Sequence, residues 1–366
     1  MKVKYIYLDR QYLQIRNEIL PKIDDLMMRG AFILRPEVNE LEEAFSLLLS
    51  VQNCVGVNSG TDALYLGIRS LKIEKGSEVI VPSHTYISSI AAIKHSGLIP
   101  VLVDIKNDFN IDKESVLMAI TNKTRAIMVT HMNGRICDMD PLMKIAKDHN
   151  LFLVEDAAQA IGATYKGSHP GSFSNWAAFS LHPMKTLGCA GDGGFLATND
   201  NWISDEIKMM RNLGQRVKGI HESFEFNSRL DTLQAGICLV KLNYLSKWIE
   251  RRKELAAQYT KALINVPGII TPPMSDAVNN DVFSSYVIRA KNRDELKSYL
   301  QSQNIETMIS WPMALHKAKS LGLKSFNLPN TDKIVSEVLS LPIAPETTNE
   351  EQSYVIDKLI QFYEKK

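Results

Sequence analysis

Lys185 is the residue with the most chemistry around it. It stands in Ala178-Phe-Ser-Leu-His-Pro-Met-Lys-Thr-Leu-Gly188, followed by Cys-Ala-Gly-Asp-Gly-Gly194, so that four glycines fall within seven positions. A lysine desolvated among small and apolar residues loses proton affinity and presents a neutral amine. That is the nucleophile needed for a Schiff base with an aldehyde cofactor. On spacing alone, the same lysine also reads as a solvated side chain beside a glycine loop. In LFLVEDAAQA an apolar run ends on Glu155 and Asp156, with Gln159 three residues on. An aspartate there can accept a hydrogen bond from a protonated pyridine nitrogen, which keeps a pyridoxal ring an electron sink. Gln159 can meet the ring's phenolic oxygen, although Asp156 by itself reads better as a helix cap. Val57-Asn-Ser-Gly-Thr-Asp-Ala-Leu64 is a small polar turn opening an amphipathic helix with Leu64, Ile68 and Leu71 on one side. Free N–H groups at such a helix start suit a phosphate. Gly60 allows close approach, Thr61 adds a hydroxyl, and the anionic Asp62 belongs to the first turn. Without companions this segment is an ordinary capped helix start.

The elements that must position these residues follow from the hydrophobic pattern. Glu78–Pro82, Pro100–Ile105, Arg125–His131 and Leu151–Ala157 are short apolar runs bounded by Gly, Pro, Asn or Asp, as strands buried on both faces of a parallel sheet are. Asp62–Leu71, Ile87–His95 and Asp140–His149 carry helical spacing between them, the last with Asp140 as N-cap and Pro141 at N1. Strand, crossover helix and strand in alternation predict an α/β domain with ligand sites at the carboxyl ends of the strands. From Arg229, Leu230, Leu233, Ile237, Val240 and Tyr244 predict one long helix that runs through Glu250–Lys253 into a smaller, Pro-punctuated second domain. A helical stretch before Gly30 is expected to form an arm or lid.

Composition narrows the function classes. The 366 residues are 45% hydrophobic, enough for two domains. Their 42 Lys+Arg against 41 Asp+Glu give a charge of +1, which offers no support for nucleic acid or an anionic membrane surface as the main partner. Cys54, Cys137, Cys189 and Cys238 show no metal-ligand spacing, so no metal is expected, and they read as reduced, buried thiols. The first residues lack the apolar core of a signal peptide, and no run of about 18 apolar residues occurs. A cytoplasmic protein with no membrane association is the expectation.

SGTDAL, VPSHTYISS, EDAAQAIGA, FSLHPMKTLGCAGDGG and FNSRLDTLQA occur in this order. Their order and spacing resemble the DegT/DnrJ/EryC1/StrS family, from about Tyr7 to Ile356. Those are pyridoxal-phosphate enzymes of the aspartate aminotransferase fold (fold type I) that aminate nucleotide-linked keto-sugars. The resemblance implies an α/β three-layer large domain with a mostly parallel sheet and a smaller α+β C-terminal domain. The expected division is an N-terminal arm or helix over 1–30, a cofactor-binding large domain over 31–250 and a small domain over 251–366. It further implies Lys185 as the Schiff-base lysine and proton shuttle, Asp156 on the pyridinium and Gln159 on the phenolic oxygen. Tyr86 would stack on the cofactor face, although it lies in an apolar stretch where a core tyrosine is equally at home. Gly60, Thr61 and Ser180 would hold the phosphate. Asn227 would reach it from a neighbouring subunit, making a homodimer with shared sites. Arg229 is a candidate for gripping the donor's carboxylate or a sugar-nucleotide phosphate, with a helix-start salt bridge as its alternative. His182, Trp311 and His316 are candidates for substrate contact, with a structural, hydrogen-bonded role as the favoured alternative for a histidine in such a place. Trp311 stands where the family usually has tyrosine or phenylalanine before the proline.

The expected reaction is transfer of an amino group from L-glutamate to C3 or C4 of a nucleotide-linked keto-sugar, in amino-sugar or polysaccharide biosynthesis. A dehydratase branch of the family carries histidine at the lysine position; Lys185 therefore favours transamination over a dehydratase or another lyase. A non-catalytic regulator on the same fold would have lost part of the lysine, aspartate and phosphate-turn set, and this chain keeps all three.

Overall fold

The computed structural model describes residues 1–364. Its centre is a seven-stranded sheet built from β1 (Asn53–Val57), β2 (Glu78–Pro82), β3 (Ile99–Val103), β4 (Thr124–Thr130), β5 (Phe152–Asp156), β6 (Trp176–Ser180) and β7 (Gly194–Thr198). The spatial order is β1-β7-β6-β5-β4-β2-β3. Pairings from β3 through β6 are parallel, and β7 alone runs against its neighbours. The expected mostly parallel sheet is thus present, and the four strands read from the sequence agree to within two residues at each end.

Strand alternation distributes the apolar side chains to two layers. Ile80, Ile127 and Leu153 join one core with Ile15, Ile19, Val38 and Leu41 of the helices Leu8–Met28 and Pro36–Leu49. Val79, Val81, Met128 and Val154 join a second core with Leu64, Ile68 and Ile90 of the helices Gly60–Ser70 and Ile87–His95. Burying each aliphatic side chain contributes about 1.5–3 kcal/mol, so the pattern fixes which face every strand residue takes. A third core lies on a three-stranded antiparallel sheet of β8 (Ile269–Ile270), β9 (Tyr286–Ala290) and β10 (Val338–Leu341), with Leu255, Tyr259, Leu296 and Val355 from helices around it. Among the described residues no helix is long and apolar enough to cross a membrane.

Two local expectations are corrected. The single long helix is two, Thr232–Leu242 and Leu245–Leu263. At the break, the N–H groups of Asn243 and Tyr244 donate to Val240 and Lys241 carbonyls, three residues back instead of four. This tighter winding ends the first helix. The helix Met139–Asp148 takes Asp138, not Asp140, at its N-cap, and Pro141 falls at the third helical position. The Asp138 carboxylate makes no cap bond and instead accepts from the Tyr165 hydroxyl at 2.8 Å.

At the end of β5 the alternation has a chemical result: Glu155 and Asp156 face opposite layers. Glu155, fully buried, accepts from the Gly171 N–H at 2.8 Å and the Ser174 hydroxyl at 2.5 Å. Its other oxygen lies 2.7 Å from His131 Nε2. Because the Cys137 N–H donates to His131 Nδ1 at 3.2 Å, the imidazole proton belongs on Nε2, pointing at the carboxylate. Glu155→Ala leaves two buried donors, the Gly171 N–H and His131 Nε2–H, without an acceptor, while the Ser174 hydroxyl keeps the Trp176 carbonyl at 2.9 Å, and should destabilise the protein by about 3–5 kcal/mol. Denaturant unfolding of the cofactor-free protein checks this; a loss below about 1 kcal/mol would contradict the structural role.

Candidate active site

The Asp156 side chain turns to the layer that holds the helices Gly60–Ser70 and Ile87–His95. Its Oδ2 accepts from the Ser89 hydroxyl at 2.6 Å and its Oδ1 from the Ala158 N–H at 3.1 Å. No helix begins at Asp156, and residues 157–163 form turns, so the helix-cap alternative does not apply. Asp156 lines a cavity of about 610 Å³ at the carboxyl ends of the parallel strands, where open α/β sheets place their ligands.

Lys185 lines the same cavity. It ends a turn in which its N–H donates to the His182 carbonyl at 2.9 Å. Gly188 is needed behind it, because a Cβ there would lie 2.7 Å from the carbonyl oxygens of His182 and Pro183. The loop is then tied down by the Lys241 ammonium on the Gly188 carbonyl, at 2.7 Å, and by the Ala190 N–H on the Gln234 side chain, at 2.8 Å. Burial lowers the Lys185 pKa from its ordinary value, and the Asp156 charge partly opposes that shift. The desolvated amine read from the sequence is therefore what the fold provides.

Ser59 caps the helix Gly60–Ser70, its hydroxyl accepting from the Asp62 N–H at 3.1 Å and its carbonyl from the Ala63 N–H at 3.0 Å. The N–H groups of Gly60 and Thr61 have no partner among the described residues and sit on the cavity wall beside Ser180. A Cβ on Gly60 would approach Ser180 Cβ to 2.8 Å, so glycine there keeps open the cradle between the helix start and the end of β6. The Thr61 hydroxyl is 2.7 Å from that of Ser88. Asp62 turns away and accepts from the Ser228 hydroxyl at 2.6 Å. These free donors fit a phosphate. Gly60→Ala is expected to cost about 1–3 kcal/mol of stability through crowding, and to weaken phosphate binding by more than tenfold. Titration with inorganic phosphate and with pyridoxal phosphate measures the second effect; unchanged affinity for both would refute the cradle.

Of the remaining residues singled out in the sequence, Tyr86, Gln159, His182 and Trp311 line the cavity. Tyr86 is 57% exposed there, which removes the core-tyrosine alternative. Gln159 Oε1 accepts from the Asn133 N–H at 2.7 Å. Trp311 takes a left-handed backbone conformation, φ 54°, and packs edge-on against His84, with ring centroids 5.4 Å apart. Burial pushes the His84 pKa down to about 4, so that ring is neutral.

Asn227, Arg229 and His316 lie outside this chain's cavity. Asn227 is exposed. Arg229 donates to the Asn212 side chain at 3.1 Å, has no carboxylate partner among the described residues and precedes its helix by three residues. His316 is held between the Ser83 hydroxyl, 2.7 Å from Nδ1, and Asp332, 3.0 Å from Nε2.

Three contributors carried no role in the sequence reading. Ser88 and Ser89 stand in the VPSHTYISS segment, on a helix start directly after a strand, a place where hydroxyls meet a ligand site. Arg252 lay within a charged stretch, yet it completes the stripe Trp248, Ile249, Leu255, Ala256 and Tyr259, whose spacing marks a core-facing position.

A half-buried lysine, a buried carboxylate and an unpartnered helix N-terminus around one cavity define a site for a phosphorylated aldehyde on a three-layer α/β fold. The chain belongs to the DegT/DnrJ/EryC1/StrS aminotransferase family, whose sequence model matches residues 13–360. Among relatives, it is 39% identical to a Geobacillus stearothermophilus protein named pleiotropic regulatory protein, over 99% of both chains. It is also 39% identical to the dTDP-3-amino-3,4,6-trideoxy-alpha-D-glucose transaminase of Streptomyces venezuelae, covering 100% of this chain and 97% of that one. The crystal structure of S. venezuelae DesV in complex with a ketimine intermediate is similar at a TM-score of 0.96 and 39% identity, over 99% of each chain.

Proposed function

We propose that the protein is a pyridoxal 5'-phosphate-dependent aminotransferase that moves an amino group from L-glutamate to C3 or C4 of a nucleotide-linked keto-sugar. The observation that carries this reading is the placement of Lys185, Asp156 and the Ser59–Thr61 turn on one cavity wall, in a chain of this family. The cofactor supplies an electron sink that stabilises a carbanion next to nitrogen. The phosphate would be held by the N–H groups of Gly60 and Thr61 and by the Ser180 hydroxyl. Asp156, positioned by Ser89, would keep the ring nitrogen protonated; Gln159 would face the phenolic oxygen and Tyr86 one ring face. Lys185 would bind the aldehyde carbon and, once displaced, carry a proton between the cofactor carbon and the substrate carbon. Its depressed proton affinity suits a group that must act as base and then as acid. His182 and Trp311 would contact the sugar.

The same reading divides the chain at about residues 30 and 250, and makes it a cytoplasmic homodimer with sites shared between subunits. Exposed Phe224, Phe226, Val217 and Ile220 beside Asn227 support such pairing, because an apolar strip of this kind seeks cover. His316, outside its own cavity, would then support the Trp311 loop through Ser83 and Asp332.

The test is an assay of glutamate with a panel of nucleotide-linked 3-keto and 4-keto sugars. Equal amounts of 2-oxoglutarate and aminated sugar are expected from one of them. A sugar dehydrated without 2-oxoglutarate would favour the lyase alternative. The regulator's name borne by one relative raises the other alternative; a regulator has no need of the complete set of site residues kept here, and a failure to turn over any panel member would favour it.

A further inference from the structure

Arg252 is 5% exposed, lies on the cavity wall and has no carboxylate within ion-pair distance among the described residues. The other buried arginines each have one: Arg211 pairs with Glu42, and Arg289 with Glu337 at 2.7 Å. Arg252 instead spends Nη1 on three backbone carbonyls, those of Phe283, Ser284 and Ile343, each at 3.3 Å. Its Nε is buried without a partner, and Nη2 has none among the described residues. Burial lowers its pKa, while Glu346 opposes that from beyond contact distance. A buried guanidinium with no anion is costly and is retained where an anion completes it.

The geometry indicates which anion. Nη1, on its carbonyls, fixes the plane of the group. Nε and Nη2 are left without a partner among the described residues, and a two-donor edge of this kind matches the two oxygens of one carboxylate. Around it the wall offers the Ser285 and Ser284 side chains and the apolar Ile343 and Ala344, and among the described residues no second arginine lines the cavity. A diphosphate, with its larger charge, lacks a second cation at this end. We propose that Arg252, not Arg229, binds a carboxylate of the amino donor, with the donor's amine directed toward Lys185 across the cavity. This inference rests on the aminotransferase reading.

The experiment uses the cofactor-loaded enzyme and the keto-sugar that wild type turns over. In Arg252→Gln the KM for glutamate should rise at least about 30-fold, a loss of about 2 kcal/mol at 1.4 kcal/mol per decade, with the KM for the sugar nucleotide changed less than threefold. Arg252→Lys, which keeps the charge, should show a smaller rise, and it replaces the glutamine variant if that one does not fold. Glutarate should compete with glutamate in wild type, and inorganic pyrophosphate should not. Equal rises in both KM values, an unchanged glutamate KM, or competition by pyrophosphate would overturn the assignment. Failure of the underlying reading is distinct, since wild type itself would then yield no 2-oxoglutarate.

Discussion

Lys185→Ala protein loaded with pyridoxal phosphate should turn over at least about 10⁴-fold more slowly than wild type. Proton transfer by a positioned side chain contributes about 10²–10⁴, and Lys185 would also be the covalent attachment point, so both contributions are lost together. The substitution trims a half-buried side chain without opening the packed core, since the loop is held by Gly188, Lys241 and Gln234. Stability should therefore change by less than about 1 kcal/mol. Lys185→Arg should be nearly as inactive, because a guanidinium stays protonated where a neutral amine is required. Measured kcat, together with the melting temperature, separates this from general damage. A residual rate within tenfold of wild type would remove Lys185 from the chemistry.

Asp156→Asn should lower kcat by about 10²–10³, an effect of about 3–4 kcal/mol. The amide oxygen can still accept from the Ala158 N–H while its NH2 donates to the Ser89 hydroxyl, so the fold has little reason to change, but the negative charge that would hold a ring nitrogen protonated is gone. The same charge raises the pKa of Lys185 against the lowering by burial. Its removal must therefore shift that pKa further down, and the pH midpoint for capture of an aldehyde at Lys185 should fall in Asp156→Asn. A midpoint that rises, or a kcat within threefold of wild type, contradicts the pairing.

Much of the site is legible in the sequence because its parts are local. The Ser59–Thr61 turn, the β5 end with Asp156 and the glycine loop with Lys185 each form within a few residues, and strand-helix alternation leads each to the same sheet edge. The helix Ile87–His95 and the strand Glu78–Pro82 match the expected bounds, since β-branched runs and a preceding turn mark them clearly. Other features are non-local and leave weaker traces. The break at Asn243 involves no proline or glycine, so the apolar spacing runs through it. Arg252 hides in a charged run, and only its place in the buried stripe betrays it. That Glu155 pairs with His131 while Asp156 meets Ser89 depends on which face the strand turns to each layer. Cys189 and Cys238, 49 positions apart, are brought to an Sγ–Sγ distance of 3.3 Å by the packing of the glycine loop on a helix.

The central claim is that Lys185 is the amine that captures the cofactor. Wild-type protein reconstituted with pyridoxal phosphate, reduced with borohydride and digested should carry the cofactor's added mass on the peptide containing Lys185, at near one equivalent per chain. Asp156→Asn should be labelled at the same residue. Label spread over surface lysines, or absent from Lys185, would contradict the account.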